Sequence, residues 1–68
     1  MTKAEAIQAM MSGQKVTHTN FCNGEWMTMQ GASILFEDGV IGSFSEFWHY
    51  RKDASWETGY SIWQGGGV

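Results

Sequence analysis

Lys15-Val16-Thr17-His18-Thr19-Asn20-Phe21-Cys22-Asn23-Gly24-Glu25-Trp26-Met27-Thr28-Met29-Gln30 decides the fold. Its first part is rich in β-branched residues, so Lys15 to Phe21 is expected to be a strand. Val16, His18 and Asn20 would share one face, with Thr17, Thr19 and Phe21 on the other. Asn23-Gly24 is a hairpin signal, because both residues tolerate positive φ. The chain then returns over Glu25 to Gln30, with Trp26 and Thr28 alternating against Met27 and Met29, and Gly31 breaks the strand.

Upstream, Thr2 and Glu5 form a T-x-x-E capping box for a helix over residues 3–12. Ile7, Met10 and Met11 recur at i, i+3 and i+4, and Gly13 falls where a left-handed C-terminal cap belongs. Downstream, Ser33 to Glu37 is a third strand and Asp38-Gly39 a second hairpin turn. Val40 and Ile41 begin a short fourth strand that stops near Gly42. Ser43 to Glu46 repeats the capping pattern, and Phe44, Phe47, Trp48 and Arg51 follow at helical spacing to about Lys52. Asp53 to Ser55 is a loop before a last strand, Trp56 to Trp63, in which Gly59 marks a bulge or a close backbone approach. The expected fold is therefore α+β: an N-terminal helix on an antiparallel sheet of about five strands, with a second short helix before the last strand. Residues 1–64 form one domain and 65–68 a flexible tail.

Composition narrows the function. The chain has 68 residues, a net charge of −3 and one cysteine. The charge argues against a duplex nucleic acid partner, which needs a basic face. No stretch is long and apolar enough to span a membrane, and the start lacks the apolar run of a signal peptide. A lone thiol fits a reducing compartment such as cytoplasm. Aromatic residues make up 15% of the chain. So small a domain is not expected to enclose them all, which leaves two or three tryptophans for a ligand or partner and makes a homo-oligomer the expected state. Phe36, Phe44 and Phe47 are expected inside.

Catalytic and metal sites find little support. On an extended strand Cys22 and His18 would be about 13 Å apart, and no third group orients them. Glu25, Glu37 and Asp38 stand at turns, where a carboxylate stays solvated rather than tuned for acid–base work. His18 and His49 lack zinc spacing, and no cofactor motif is present. Anion binding is a better fit. The start of the second helix at Gly42-Ser43 offers N–H groups, although Ser43 and Glu46 would cap them. Arg51 and Lys52, beside His49 and Tyr50, make a small donor cluster that would equally serve the helix dipole. Phe21, Trp26, Trp48, Tyr50 and Trp56 could stack on a nucleobase.

The order of Glu5-Ala6-Ile7, Gly13, Lys15-Val16, His18, Phe21 and Asn23-Gly24 resembles small phage proteins of the Thoeris anti-defence sponge family, as does the final segment from Asp53 to Trp63. His18 stands where that family usually has Arg, Phe21 where it has Trp, and Cys22 is extra before the turn. The resemblance implies a non-enzymatic protein of the infected bacterial cytoplasm. It would sequester a cyclic nucleotide immune signal, a cyclic ADP-ribose isomer or a cyclic dinucleotide, in pockets between subunits. The implied ligand residues are His18, Asn20, Phe21, Trp26, Trp48, Arg51 and Trp56, with rings around a base and His18 and Arg51 at phosphates. The alternative is a protein-interaction module or inhibitor that covers a host protein with an aromatic surface.

Overall fold

The first helix, α1 (Lys3–Met11), starts as its capping box requires: Glu5 N–H donates to Thr2 Oγ1 and Thr2 N–H to Glu5 Oε1. That pairing with the Thr2 backbone, the largest cause, holds the Glu5 carboxyl below its ordinary pKa. Gly13, at φ +96°, ends the helix by donating its N–H to Met10 O. In the computed structural model, which describes residues 1–64, five strands follow: β1 (Val16–His18), β2 (Met27–Gln30), β3 (Ser33–Phe36), β4 (Ile41–Ser43) and β5 (Tyr60–Ile62). A second helix, α2 (Phe44–His49), and a one-turn 3-10 helix, Ala54–Trp56, lie between β4 and β5. The sheet order is β4-β3-β2-β1-β5, and every neighbouring pair is antiparallel. This is the expected α+β architecture; the expected tail, 65–68, lies outside the described residues.

Several boundaries differ from expectation, each for a local reason. β1 stops at His18, not Phe21, because the Asn20 N–H turns back to His18 Nδ1 and the Phe21 N–H to His18 O. Asn20 therefore never joins the face of Val16 and His18. Asn23-Gly24 does not form a two-residue hairpin. Gly24 has φ +84° and no non-glycine residue among those described has positive φ, so the turn closed by Glu25 N–H to Cys22 O is not the type I′ form, which needs both central residues positive. The tight two-residue connection is Gly31-Ala32, between the paired Gln30 and Ser33, with Gly31 at φ +63°. β3 and β4 are joined by a four-residue loop, Glu37-Asp38-Gly39-Val40, in which the Gly39 N–H donates to Phe36 O and the Val40 carbonyl accepts from the Phe36 N–H.

The last strand is the largest correction. It spans three residues, not eight, and Trp56 sits in the 3-10 helix. Gly59, at φ +94°, turns the chain into β5 and is a close backbone approach: a Cβ there would stand 3.0 Å from Thr19 Oγ1 and 3.2 Å from His18 Nε2. α2 also ends early, at His49 with Tyr50 as its cap. Ser43 Oγ accepts from the Glu46 N–H as expected.

Alternation along the strands sorts the sheet into two faces. Val16, Met27, Ile34 and Tyr60 join Ala6 and Met10 of α1, and Phe47 and Trp48 of α2, in one buried cluster. Phe36 and Phe44 pack half-buried against it, and only Phe47 of the three phenylalanines expected inside is fully buried. Both helices thus cover the same face. The cross-strand pairs Thr17–Ser61, Thr28–Leu35 and Leu35–Ile41 point the other way. Gly59→Ala is expected to destabilise the fold by about 1–2 kcal/mol, the cost of a left-handed non-glycine residue. Thermal unfolding should show a Tm lower by roughly 5–15 °C; an unchanged Tm would mean that the Gly59 turn does not constrain β5.

Candidate functional site

The aromatic residues separate into two groups on opposite faces of the sheet. The inner group is built around His18, which is 3% exposed. Its Nδ1 accepts the Asn20 N–H at 2.9 Å and its Nε2 lies 2.8 Å from Thr58 O, so the ring is the neutral tautomer that donates from Nε2. Trp56 stacks on it at 4.3 Å between centroids and Tyr60 meets it edge-on at 4.4 Å. Phe21 packs at 6.1 Å. Tyr60 Oη donates to Trp56 O at 2.7 Å, clasping the 3-10 turn over the ring pair. Burial, with Glu57 nearby, pushes the Tyr60 phenol up to about 12, against an opposing pull from Arg51.

Arg51 belongs to this group through packing. Its guanidinium carbon lies 4.0 Å from the Phe47 centroid and 5.2 Å from that of Trp56, and Nη1 donates to Phe47 O. Trp48 is buried, edge-on to Phe47 at 4.7 Å, with the Lys3 ammonium over its indole. Two buried donors, Trp48 Nε1 and Arg51 Nε, have no acceptor, so ring packing adds to the Arg51 bonds to Phe47 O and Trp48 O in holding this end of α2. Asn20 is exposed and ties its loop to the 3-10 helix through Nδ2 to Ser55 Oγ.

Five of the seven residues singled out from sequence, His18, Phe21, Trp48, Arg51 and Trp56, are therefore assembled together, and Asn20 borders them. Their rings pack against one another, and His18 and Phe21 also line a groove. His18 has both nitrogens engaged, so meeting a phosphate would require it to give up a backbone partner. Of the tryptophans, Trp48 is buried and Trp26, Trp56 and Trp63 are half-buried; Tyr50 alone of the Phe, Tyr and Trp residues is fully exposed. Folding the Phe21 loop and the 3-10 turn over His18 covers rings that a flat five-stranded sheet would have left bare.

Trp26 lies apart, on the open face. Its ring and that of Trp63 are 5.8 Å apart, and the Lys15 ammonium sits 4.4 Å from the first centroid and 5.7 Å from the second. Beside Trp63 runs a groove of about 390 Å³, lined by Thr17, His18, Thr19, Phe21, Ser61 and Trp63, with the Cys22-Asn23-Gly24 turn and Gly59 at its edges. It offers three hydroxyls, an amide, a thiol and the rings of His18, Phe21 and Trp63, and among the described residues no Asp or Glu lines it. The comparisons were negative throughout: no protein-family model, curated protein or solved structure matches this chain.

Lys15, Thr17, Ser61 and Trp63 were not singled out as site residues, although the alternation that placed Val16 and His18 inward also turns Thr17 outward. Trp63 was hidden by the over-long last strand. Among the described residues no cluster of His, Cys, Asp or Glu has the grouping of a metal site, and no helix is long and apolar enough to cross a membrane. Cys22, exposed at the groove edge, has its backbone N–H held by Glu25 Oε1.

Tyr60 supplies a pH test. A phenol raised from 10.0 to about 12 on folding contributes stability that is complete below pH 10 and lost as pH rises through 12. In a Tyr50→Phe background Tyr60 is the sole tyrosine, and its tyrosinate absorbance should rise near pH 12. Titration at the ordinary phenol value would contradict its burial against His18.

Proposed function

We propose that the protein binds and sequesters a small nucleotide ligand in the groove on the open face of its sheet, and releases it unchanged. The observation that carries this reading is the groove's lining. Thr17, Thr19 and Ser61 present hydroxyls that can donate or accept, Phe21 and Trp63 present ring surface, and no carboxylate opposes an anion. Stacking against an aromatic ring contributes about 1–3 kcal/mol per base and does not discriminate strongly among bases. The neighbouring His18 has no free ring nitrogen for proton transfer, which favours binding over turnover.

The resemblance to the Thoeris anti-defence sponges narrows the ligand to a cyclic ADP-ribose isomer or a cyclic dinucleotide, held in the cytoplasm of an infected bacterial cell. Of the residues first singled out, Phe21 and His18 border the groove itself and Trp26 lies beside it. Trp48, Arg51 and Trp56 act from beneath, through the ring packing that supports His18 and Phe21. Copies of the chain associate in this reading, and the exposed Val40 and Ile41 beside the sheet edge at β4 are the apolar surface available for it.

A second reading draws on a different place. Phe36, Gly42, Phe47 and Tyr50 border a hollow of about 240 Å³, and Tyr50 is 78% exposed. That is an apolar surface suited to a protein partner, as an inhibitor of a host protein would need.

Calorimetric titration with a panel of cyclic ADP-ribose isomers and cyclic dinucleotides separates these readings. The expected result is saturable binding to at least one member, with intact ligand recovered after heating the complex. Thr17→Val with Ser61→Ala should weaken it about tenfold or more, the loss of two hydrogen bonds at about 1 kcal/mol each. Degraded ligand would make the protein an enzyme. Absence of binding to every member would leave the Tyr50 surface as the working one.

A further inference from the structure

We propose that Lys15 is the anion-recognising end of the ligand site. A phosphate attached to a group seated in the groove would be held by the Lys15 ammonium, with Trp63 as the wall shared by both parts. This rests on the nucleotide-binding reading above and assigns that site its polarity.

The groove beside Thr17 and Ser61 has no charged lining residue, so it cannot by itself neutralise an anionic ligand. Trp63 also borders an adjoining groove of about 370 Å³, formed with Gly13, Gln14, Lys15, Ile62 and Gln64. Lys15 is the cation there, and none of the chain's seven acidic residues lines either groove. The backbone offers little competition as a donor, since the Gly13 and Gln14 N–H groups already bond to Met10 O and Ala9 O of α1.

The remaining cations are placed elsewhere. Lys3 lies over Trp48, on the face the helices cover, and Arg51 is half-buried between Phe47 and Trp56 with Nη1 on a carbonyl. Lys52 follows α2. Lys15 is exposed, and its ammonium is held by indole faces, a weak contact at a wet surface. A phosphate oxygen would replace that contact with a charge-assisted hydrogen bond, which is stronger and directional. Lys15 and Thr17 are two residues apart along one strand, about 7 Å, a spacing suited to a ligand whose neutral polar ring and phosphate are directly joined. The class implied is a nucleoside phosphate with its base and sugar toward Thr17 and Ser61 and its phosphate toward Gly13 and Lys15.

Adenosine and adenosine 5′-monophosphate are the probes, each titrated by NMR into the wild type, Lys15→Gln and Lys15→Arg. In the wild type the monophosphate should bind about tenfold tighter than adenosine at low salt, with the preference shrinking as salt is added. Lys15→Gln should bring the ratio close to one, and Lys15→Arg should restore most of it, which a loss of folding or packing would not do. If Lys15→Gln keeps the full preference, the phosphate is recognised elsewhere and the assignment of Lys15 is wrong while the nucleotide reading stands. If neither probe shifts Thr17, Ser61 or Trp63, the groove does not take a nucleoside phosphate and this inference fails, while the nucleotide reading is decided by the cyclic ligands.

Discussion

The His18 imidazole is fixed by backbone groups from two segments far apart in sequence, the Asn20 N–H on one side and the Thr58 carbonyl on the other. Both bonds are made inside the protein, where a polar group left unpaired would cost about 1–3 kcal/mol. The first bond ends β1 and folds the Phe21 loop back. The second draws residues 58 and 59 so close that only glycine fits at 59. With those two segments in place, Trp56 and Tyr60 have a ring to pack on, and Tyr60 closes the arrangement through its hydroxyl to Trp56 O. In a chain of 68 residues, where an apolar core alone contributes little, this polar centre substitutes for part of the aliphatic interior the sequence lacks.

The same arrangement governs the distribution of charge. Lys3, Lys15 and Arg51 each lie against aromatic rings. Acidic side chains gather instead at turns. Glu37 stands near Asp38 and Glu25, and desolvation first, then those neighbours, raises its pKa. None of the acidic residues lines either groove, although Glu25 holds the Cys22 N–H at the rim of the one beside Thr17 and Ser61. The open face can accept an anionic ligand although the net charge is −3, because recognition depends on the local field within about 8–10 Å rather than on the total.

Local rules read the fold well wherever local bonding decides. The capping box at Thr2 and Glu5, the left-handed Gly13 and the Ser43 cap are each made by residues within a few positions of one another, and each was legible. So was the number of strands. Where a distant partner decides, sequence reading failed. Trp56 alternates perfectly with Tyr60 and Ile62, yet His18 draws it into a helical turn. Asn23-Gly24 has a hairpin signature, yet the His18–Asn20 bond ends β1 before the turn is reached. The residues picked as ligand contacts were those with the largest side chains and the obvious charges, and such residues are also the ones a small core needs most. Thr17, Ser61 and Lys15 carry weaker signals, visible only as the outward half of a strand's alternation.

In the proposed reading the inner aromatic group is structural and the open face does the binding. The four tryptophan indole N–H groups report on this directly, since Trp48 and Trp56 belong to the first and Trp26 and Trp63 to the second. Their NMR signals should be followed while a cyclic ADP-ribose isomer or cyclic dinucleotide that binds is added. The Trp63 signal is expected to shift with saturation, accompanied by Trp26, while Trp48 and Trp56 hold their positions. Shifts led by Trp48 and Trp56, with Trp63 unmoved, would contradict it and return the site to the cluster around His18.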